Sequence, residues 1–335
     1  MKKKKRIIWL DVLKAIAIFA VCLDHGSVIL SMFLPNQGLD IVWRHTYFSV
    51  PWFLLIMGMT TSLSMDPNAA IWRNALNFYK KRINYIGIYV IASTIGYFWS
   101  SFPTYSLGNL LWNILTFNAL SPFYFFLIMF ECFLVAPFFY AFFKKSTLFI
   151  FGLMTVIMYL FLFQMDMIQI PPIFTSAWRA PFGGMFLIFF WIGMGYDKFK
   201  DELKQHEFLL ATTIFLITEY WIVKTQGAQI TVPITIQRIA WTVSGLFVFK
   251  NIIERIPFEK IFAPLVFIGR RTLPIFIYHA MIMNSIRQFL PTTWTGLTTI
   301  IIISMAGSLL IDYLVQWIQI KIVQSFQKIS FIQHT

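Results

Sequence analysis

Apolar stretches long enough to cross a bilayer recur along the whole chain and are separated by short polar segments. An α-helix needs about 20 predominantly apolar residues to cross the hydrocarbon core. On this criterion hydropathy predicts an all-α, polytopic membrane protein with about ten transmembrane helices, forming a single domain over 1–335. The predicted spans are 7–29, 47–65, 83–101, 119–143, 147–165, 181–196, 208–225, 235–253, 272–290 and 296–320.

Lysine and arginine are distributed unevenly between these spans. With the N-terminus in the cytoplasm, the cytoplasmic segments hold 21 of the 27 Lys and Arg residues, whereas the outer segments hold four. This is the positive-inside pattern, and it predicts that both termini are cytoplasmic. Because topology accounts for the net charge of +13, nucleic acid is not an expected partner.

The composition agrees with a membrane protein, since 58% of residues are hydrophobic and 12% are charged. The two cysteines, Cys22 and Cys132, both fall in predicted spans, which indicates no disulfide framework and no thiolate metal site. No bound metal or permanently held cofactor is expected. The N-terminal KKKKR could begin a signal peptide, but Asp11 and Lys14 interrupt the apolar run that follows, so a retained first span is predicted.

The first span carries a polar stripe. Lys14 and His25 are eleven residues apart, which places them within roughly 20° of one helix face and about 16 Å apart along the axis. Ionisable groups inside a membrane are costly and are commonly functional. A histidine there could act as a general base or transiently accept an acyl group. The alternative is a lysine that reaches the near surface and a histidine that ends the helix.

Other ionisable groups sort by predicted depth. His45 and Arg179 lie near the outer surface, and Glu219 and Arg238 are predicted to form an ion pair near that side. Glu131 and His279 fall near the middle of their spans.

Basic residues cluster on the predicted cytoplasmic side, where charge-assisted hydrogen bonds could hold a polyphosphate ligand. Retention by the positive-inside rule or contact with anionic membrane lipid would explain the same residues. The cluster comprises Arg73, Lys80, Lys81 and Arg82, joined by Arg270 at the start of the ninth span.

Five segments, in order, resemble the acyltransferase-3 family. LDVLKAIAIFAVCLDH is similar to its opening signature, a basic residue and a histidine separated by ten residues, here Lys14 and His25. SVPWFLLIMG resembles a second-span motif, with Met57 where the family usually has serine. NFYKKRINY, WRAPFGGMFLIFFWIGMGY and IGRRTLPIFIYHAMIM resemble later segments, although the RxxR form is not intact and Tyr278 directly precedes His279.

This resemblance implies a stand-alone membrane O-acyltransferase, typically an O-acetyltransferase, in a bacterial plasma membrane. The donor would be cytoplasmic acyl-CoA, by default acetyl-CoA, and the acceptor a cell-surface glycan or lipid-linked sugar. His25, Lys14 and Glu131 would be catalytic. The basic cluster and Arg270 would bind the donor, and His45, Arg179 and His279 would contact the acceptor.

Two functions other than catalysis are also compatible with the sequence. A transporter that exports an acylated small molecule or glycan would also need intramembrane charges and about ten spans. Transporters often contain inverted repeats, and no matching halves are visible in this sequence. A lipid-binding or assembly component without chemistry would leave the Lys14–His25 stripe unexplained.

Overall fold

The computed structural model describes residues 6–30, 42, 45–100, 105–167, 181–204, 206–225, 234–256 and 259–332. These residues form helices and no strand, which confirms the all-α class. Short 3-10 helices cover Ser121–Phe123, Pro181–Phe186, Glu259–Phe262 and Arg287–Phe289. The α-helices are α1 (Ile8–Leu30), α2 (Ser49–Ser64), α3 (Ile71–Arg82), α4 (Asn84–Ser100), α5 (Leu107–Thr116), α6 (Tyr124–Lys145), α7 (Leu148–Met167), α8 (Leu187–Leu203), α9 (Glu207–Thr225), α10 (Ile236–Arg255), α11 (Ala263–Gly269), α12 (Thr272–Ile286) and α13 (Trp294–Ile332).

Every predicted span coincides with one of these helices. Within the described residues, three helical segments are individually long and apolar enough to cross a membrane: Ile8–Leu30, Ser121–Lys145 and Trp294–Ile318. A fourth would be the pair Lys260–Gly269 and Thr272–Phe289, which is bent by 66°. The other helices are shorter or more polar, so the count of about ten spans and the orientation of the termini stay predictions.

Three short helices lie outside the predicted spans. Helix α3 is amphipathic and ends in three basic residues, α5 has ten residues, and α11 has seven. None of them is long enough to cross a bilayer alone, because an α-helix rises 1.5 Å per residue.

Helix α1 lies at the centre of the packing and contacts α2, α10, α11, α12 and α13. Leu13, Ala17, Ile18 and Cys22 are fully buried along it. A helix that is apolar on several faces can be surrounded by other helices in this way. The polar side chains of α1 therefore face protein on several sides.

Glycines permit the closest helix contacts. A side chain at Gly58 of α2 would overlap the Phe190 carbonyl of α8, and one at Gly269 of α11 would overlap the Asp11 carbonyl of α1. Small residues allow such approach between membrane helices. Gly269 thereby brings the start of the ninth predicted span against the first turns of α1.

One end of the bundle contains a cavity of about 650 Å³. It is lined by the N-terminal end of α1 and by the C-terminal ends of α2, α8 and α10. These helix ends therefore share one side, as expected when successive helices alternate in direction.

Candidate active site

A pair of histidines joins α1 to α12. His25 Nδ1 lies 2.7 Å from His279 Nε2, within hydrogen-bond distance. The two rings are nearly parallel, with planes inclined by 14°, and meet edge to edge, with centroids 5.0 Å apart. The pair links residues 254 positions apart in the chain, so spacing within one helix could not predict it.

The second ring nitrogen of His279 is bonded to its own helix. His279 Nδ1 lies 2.9 Å from the carbonyl oxygens of Ile275 and Phe276, one turn earlier in α12. The side chain has no solvent exposure. The imidazole is therefore held at both nitrogens.

Aromatic rings surround the pair on the side of α6. The Phe276 ring lies 6.1 Å from that of His279, and Phe125 and Phe126 pack on Phe276 at 5.2 and 5.9 Å. Electrostatic interactions strengthen where water is excluded. Hydrogen bonds made by the fully buried His279 are consequently stronger than they would be at a surface.

Asp24, although adjacent to His25 in sequence, is directed elsewhere. Its Oδ1 accepts a hydrogen bond of 3.3 Å from the Thr46 hydroxyl. Successive residues of a helix point about 100° apart, which explains the divergence. The observed neighbour of the His25 ring is a histidine rather than this carboxylate.

A buried carboxylate organises the other end of α1. Asp11 is 2% exposed. Its side chain accepts hydrogen bonds from the Arg6 guanidinium and, at 3.5 Å, from Lys14 Nζ, and Arg270 Nε lies 3.8 Å away. We call Asp11 with Arg6, Lys14 and Arg270 the Asp11 cluster. Three cations around one anion leave an excess of positive charge.

The sequence identified Lys14 and Arg270 as site residues but gave no role to the aspartate between them. The sequence does contain a sign of this contact, because Asp11 lies one turn before Lys14 within an apolar run. Arg270 could be placed there only once Gly269 was known to pack against Asp11.

The other predicted donor-binding residues lie on α3. Arg73, Lys80 and Lys81 are exposed, and the Arg82 guanidinium lies over the rings of Phe78 and Phe133 at 4.8 and 5.2 Å. The lining of the 650 Å³ cavity, as the described residues define it, includes none of these four. Their assignment to the donor stays a prediction.

Of the remaining predicted residues, Glu131 lies half-buried on α6, five positions after Phe126. His45 Nε2 lies 3.1 Å from Glu219 Oε1, a contact that the sequence did not predict. Arg238 is buried and lies over the ring of Tyr47. Arg179 lies outside the described residues.

The cavity was not predicted, because its walls come from helix ends far apart in the chain. Its charges are largely paired: Lys250 Nζ lies 2.6 Å from Glu207, and Lys200 Nζ lies 2.6 Å from Asp197. Trp9 and Tyr196 add aromatic surface. Mixed charge and aromatic walls make this a polar recess beside the Asp11 cluster, since Arg6 belongs to both.

Among the residues that the structure describes, no three His, Cys, Asp or Glu side chains are grouped so that they could hold a metal ion.

The chain matches a known protein family. The acyltransferase-3 family model, described as an acyltransferase domain, matches residues 7–331. No curated protein matches, and neither does any solved structure. The family match covers nearly the whole chain, including both histidines and the Asp11 cluster except Arg6.

Proposed function

The chain belongs to the acyltransferase-3 family and is an integral membrane acyltransferase, and from this premise we propose that it transfers an acetyl group from cytoplasmic acetyl-CoA to a hydroxyl group of a cell-surface or lipid-linked glycan. The observation that carries the proposal is the His25–His279 contact of 2.7 Å on the central helix. A histidine held by a hydrogen bond in a partly buried site between helices is suited to general base catalysis.

In the proposed reaction His25 removes the proton of the acceptor hydroxyl. The acceptor oxygen bonds to the thioester carbonyl carbon, and the carbon–sulfur bond of acetyl-CoA then breaks. The proton on His25 passes to the sulfur, which leaves as free CoA. Ester and thiol are the products, and the imidazole returns to its starting state.

The Asp11 cluster supplies a candidate site for the anionic part of the donor. Arg6 and Arg270 are about half exposed, with side-chain exposures of 55% and 49%, so both can reach a phosphate while they contact Asp11. Lys14 is less exposed and lies further into the bundle. The separation of about 16 Å along α1 between Lys14 and His25 suits an extended pantetheine arm.

On this proposal the donor enters from the N-terminal end of α1, which the charge distribution predicts to be cytoplasmic. Arg73, Lys80, Lys81 and Arg82 would attract the donor to the same side. His45 and Arg179 would meet the glycan on the opposite side, and Glu131 would assist the reaction from α6. The cell membrane is the proposed location, in a bacterium.

The rival function is export of an acylated molecule. It would use the same polar groups as a path but would break no thioester. The family match supports acyl transfer and gives export no separate support.

The test is acetyl-CoA turnover by the purified protein in lipid vesicles, with a mixed extract of lipid-linked glycans as acceptor. We expect release of free CoA that requires the extract and falls at least about 100-fold in His25→Gln, the loss typical of a missing general base. His206→Gln is the matched control, because His206 is exposed and lies between α8 and α9. Release that survives His25→Gln, or none from the unsubstituted protein, would contradict the proposal.

A further inference from the structure

His279 makes contacts at both nitrogens that restrict where its proton can be. Two carbonyl oxygens lie 2.9 Å from Nδ1, and a carbonyl oxygen can only accept a hydrogen bond. Nδ1 must therefore carry a hydrogen. A neutral imidazole has one N–H, so Nε2 of His279 is left with its lone pair and accepts.

From this we infer that His279 is a positioning residue, which fixes the tautomer of His25 and aims its reactive nitrogen. Since His279 Nε2 accepts, His25 Nδ1 must donate across the 2.7 Å contact. The proton of neutral His25 is then on Nδ1, and its Nε2 holds the lone pair. Free histidine has no such constraint on its tautomer.

The opposite arrangement requires a charge that the site does not compensate. His279 could donate from Nε2 only as an imidazolium with protons on both nitrogens. That cation would be fully buried beside the Phe276 ring. Burial of a charge is strongly unfavourable unless the charge is paired. Neutral His279 is the state that fits its surroundings.

The catalytic consequence of this tautomer rests on the proposed function. His25 Nε2, presented with its lone pair, takes the proton of the acceptor hydroxyl as the acceptor oxygen bonds to the thioester carbon. His25 is then an imidazolium, and its Nδ1–H bond to His279 becomes a charge-assisted one. That bond stabilises the charge that develops in the transition state. After the carbon–sulfur bond breaks, the proton leaves from Nε2 to the thiolate.

The surrounding helices keep this geometry rigid. Helix α12 follows α11, whose Gly269 packs against the Asp11 carbonyl of α1. The bent pair α11–α12 thus contacts α1 near Asp11, through Gly269, and again at His25, through His279, which lies about two turns into α12. The position of the His279 ring relative to His25 is set by two contacts between the same pair of segments.

The direct test reads the tautomer by nitrogen-15 NMR of histidine-labelled protein in lipid. The chain has five histidines, so signals can be assigned by substitution. We expect both His25 and His279 to be protonated at Nδ1 and unprotonated at Nε2. A His25 signal with the proton on Nε2 would overturn the inference.

Two substitutions of His279 distinguish a positioning role from a role in packing alone. The amide oxygen of glutamine in His279→Gln can occupy the place of Nε2 and accept from His25. Asparagine in His279→Asn can keep a donor near Nδ1 for the carbonyls but has no atom that reaches His25. Positioning predicts that kcat falls about 100-fold in the Asn variant and less than about 10-fold in the Gln variant, with KM for acetyl-CoA kept in both. Equal activities, or the reverse order, would overturn it.

The experiments distinguish a failure of the proposed acyl transfer from a failure of the proposed role of His279. If the unsubstituted protein releases no CoA, the proposed function fails whatever the NMR shows. If His25→Gln abolishes turnover while His279→Asn retains it fully, acyl transfer by His25 stands and the role of His279 falls. Loss of the Nδ1–H signal of His25 in His279→Asn, with the melting temperature of the protein maintained, supports the inference independently of activity.

Discussion

The two ends of α1 carry different kinds of polar residues. At one end Asp11 gathers three cations and leaves a surplus of positive charge. At the other end His25 meets another histidine among phenylalanine rings, and neither ring contacts a carboxylate in the residues described. A carboxylate beside His25 would favour its imidazolium form, whereas a neutral histidine partner does not.

In the proposed function, binding of the anionic donor and proton transfer take place at opposite ends of one helix. The charged end is suited to binding an anionic donor, which affects KM. The neutral end is suited to moving a proton, which affects kcat. Substitutions at the two ends should therefore affect different kinetic constants.

The largest effect is expected at the neutral end. His25→Gln should lower kcat by about three orders of magnitude, within the range for a general base, because the amide cannot take the proton. Binding of acetyl-CoA, measured by calorimetry in detergent, should change less than about two-fold. A comparable loss of acetyl-CoA binding would place His25 at the donor site. It would contradict the assignment of donor binding and proton transfer to opposite ends of α1.

Removal of the buried carboxylate should mainly affect stability. Asp11→Asn leaves three cations without their counterion, and a broken buried pair costs about 3 kcal/mol, reduced here because Arg6 and Arg270 are partly exposed. The measurement is the thermal unfolding midpoint in detergent, with Asp201→Asn as control because that carboxylate is exposed. An unchanged midpoint would show that Asp11 does not organise this end.

Overpacking at the charged end should destabilise the protein by about 1–3 kcal/mol. Gly269→Ala places a methyl group against the Asp11 carbonyl, so α11 must move away from α1. Gly87→Ala is the matched control, since a side chain there meets open space. Unfolding midpoints of the two variants compare them directly, and equal midpoints would contradict the close contact between α11 and α1.

The smallest effect is expected for a single donor contact. Arg270→Gln should raise KM for acetyl-CoA about 10-fold through loss of one charge-assisted hydrogen bond, with kcat nearly unchanged. Lys260→Gln serves as control, because this exposed lysine belongs to the same basic segment. A lower kcat at constant KM would assign Arg270 to the chemistry rather than to binding.

Hydropathy predicted the helices that coincide with the ten spans, and the eleven-residue spacing predicted that Lys14 and His25 share a stripe. Both rest on geometry within one helix, which sequence spacing encodes. The side chains that contact the two ends of α1 come from later in the chain: His279 lies on α12, and Arg270 directly precedes that helix. His279 lies 254 residues from His25, and only the fold places them in contact.

Other contacts were missed for the same reason. His45, which comes from a different segment, lies 3.1 Å from Glu219, and similar membrane depth alone does not predict that contact. Likewise the basic residues of α3 looked equivalent to Arg270 in sequence. In the structure Arg270 joins Asp11, whereas Arg82 packs over aromatic rings.

The most direct test of the central claim follows the acetyl group itself. The purified protein in lipid vesicles is given carbon-14-labelled acetyl-CoA and lipid-linked glycan extract, and label is counted in the glycan fraction. The account predicts label released by mild alkali, as an ester, with the unsubstituted protein and with His206→Gln, and at least about 100-fold less with His25→Gln. Labelled glycan at undiminished level with His25→Gln, or no label in glycan with the unsubstituted protein, would contradict it.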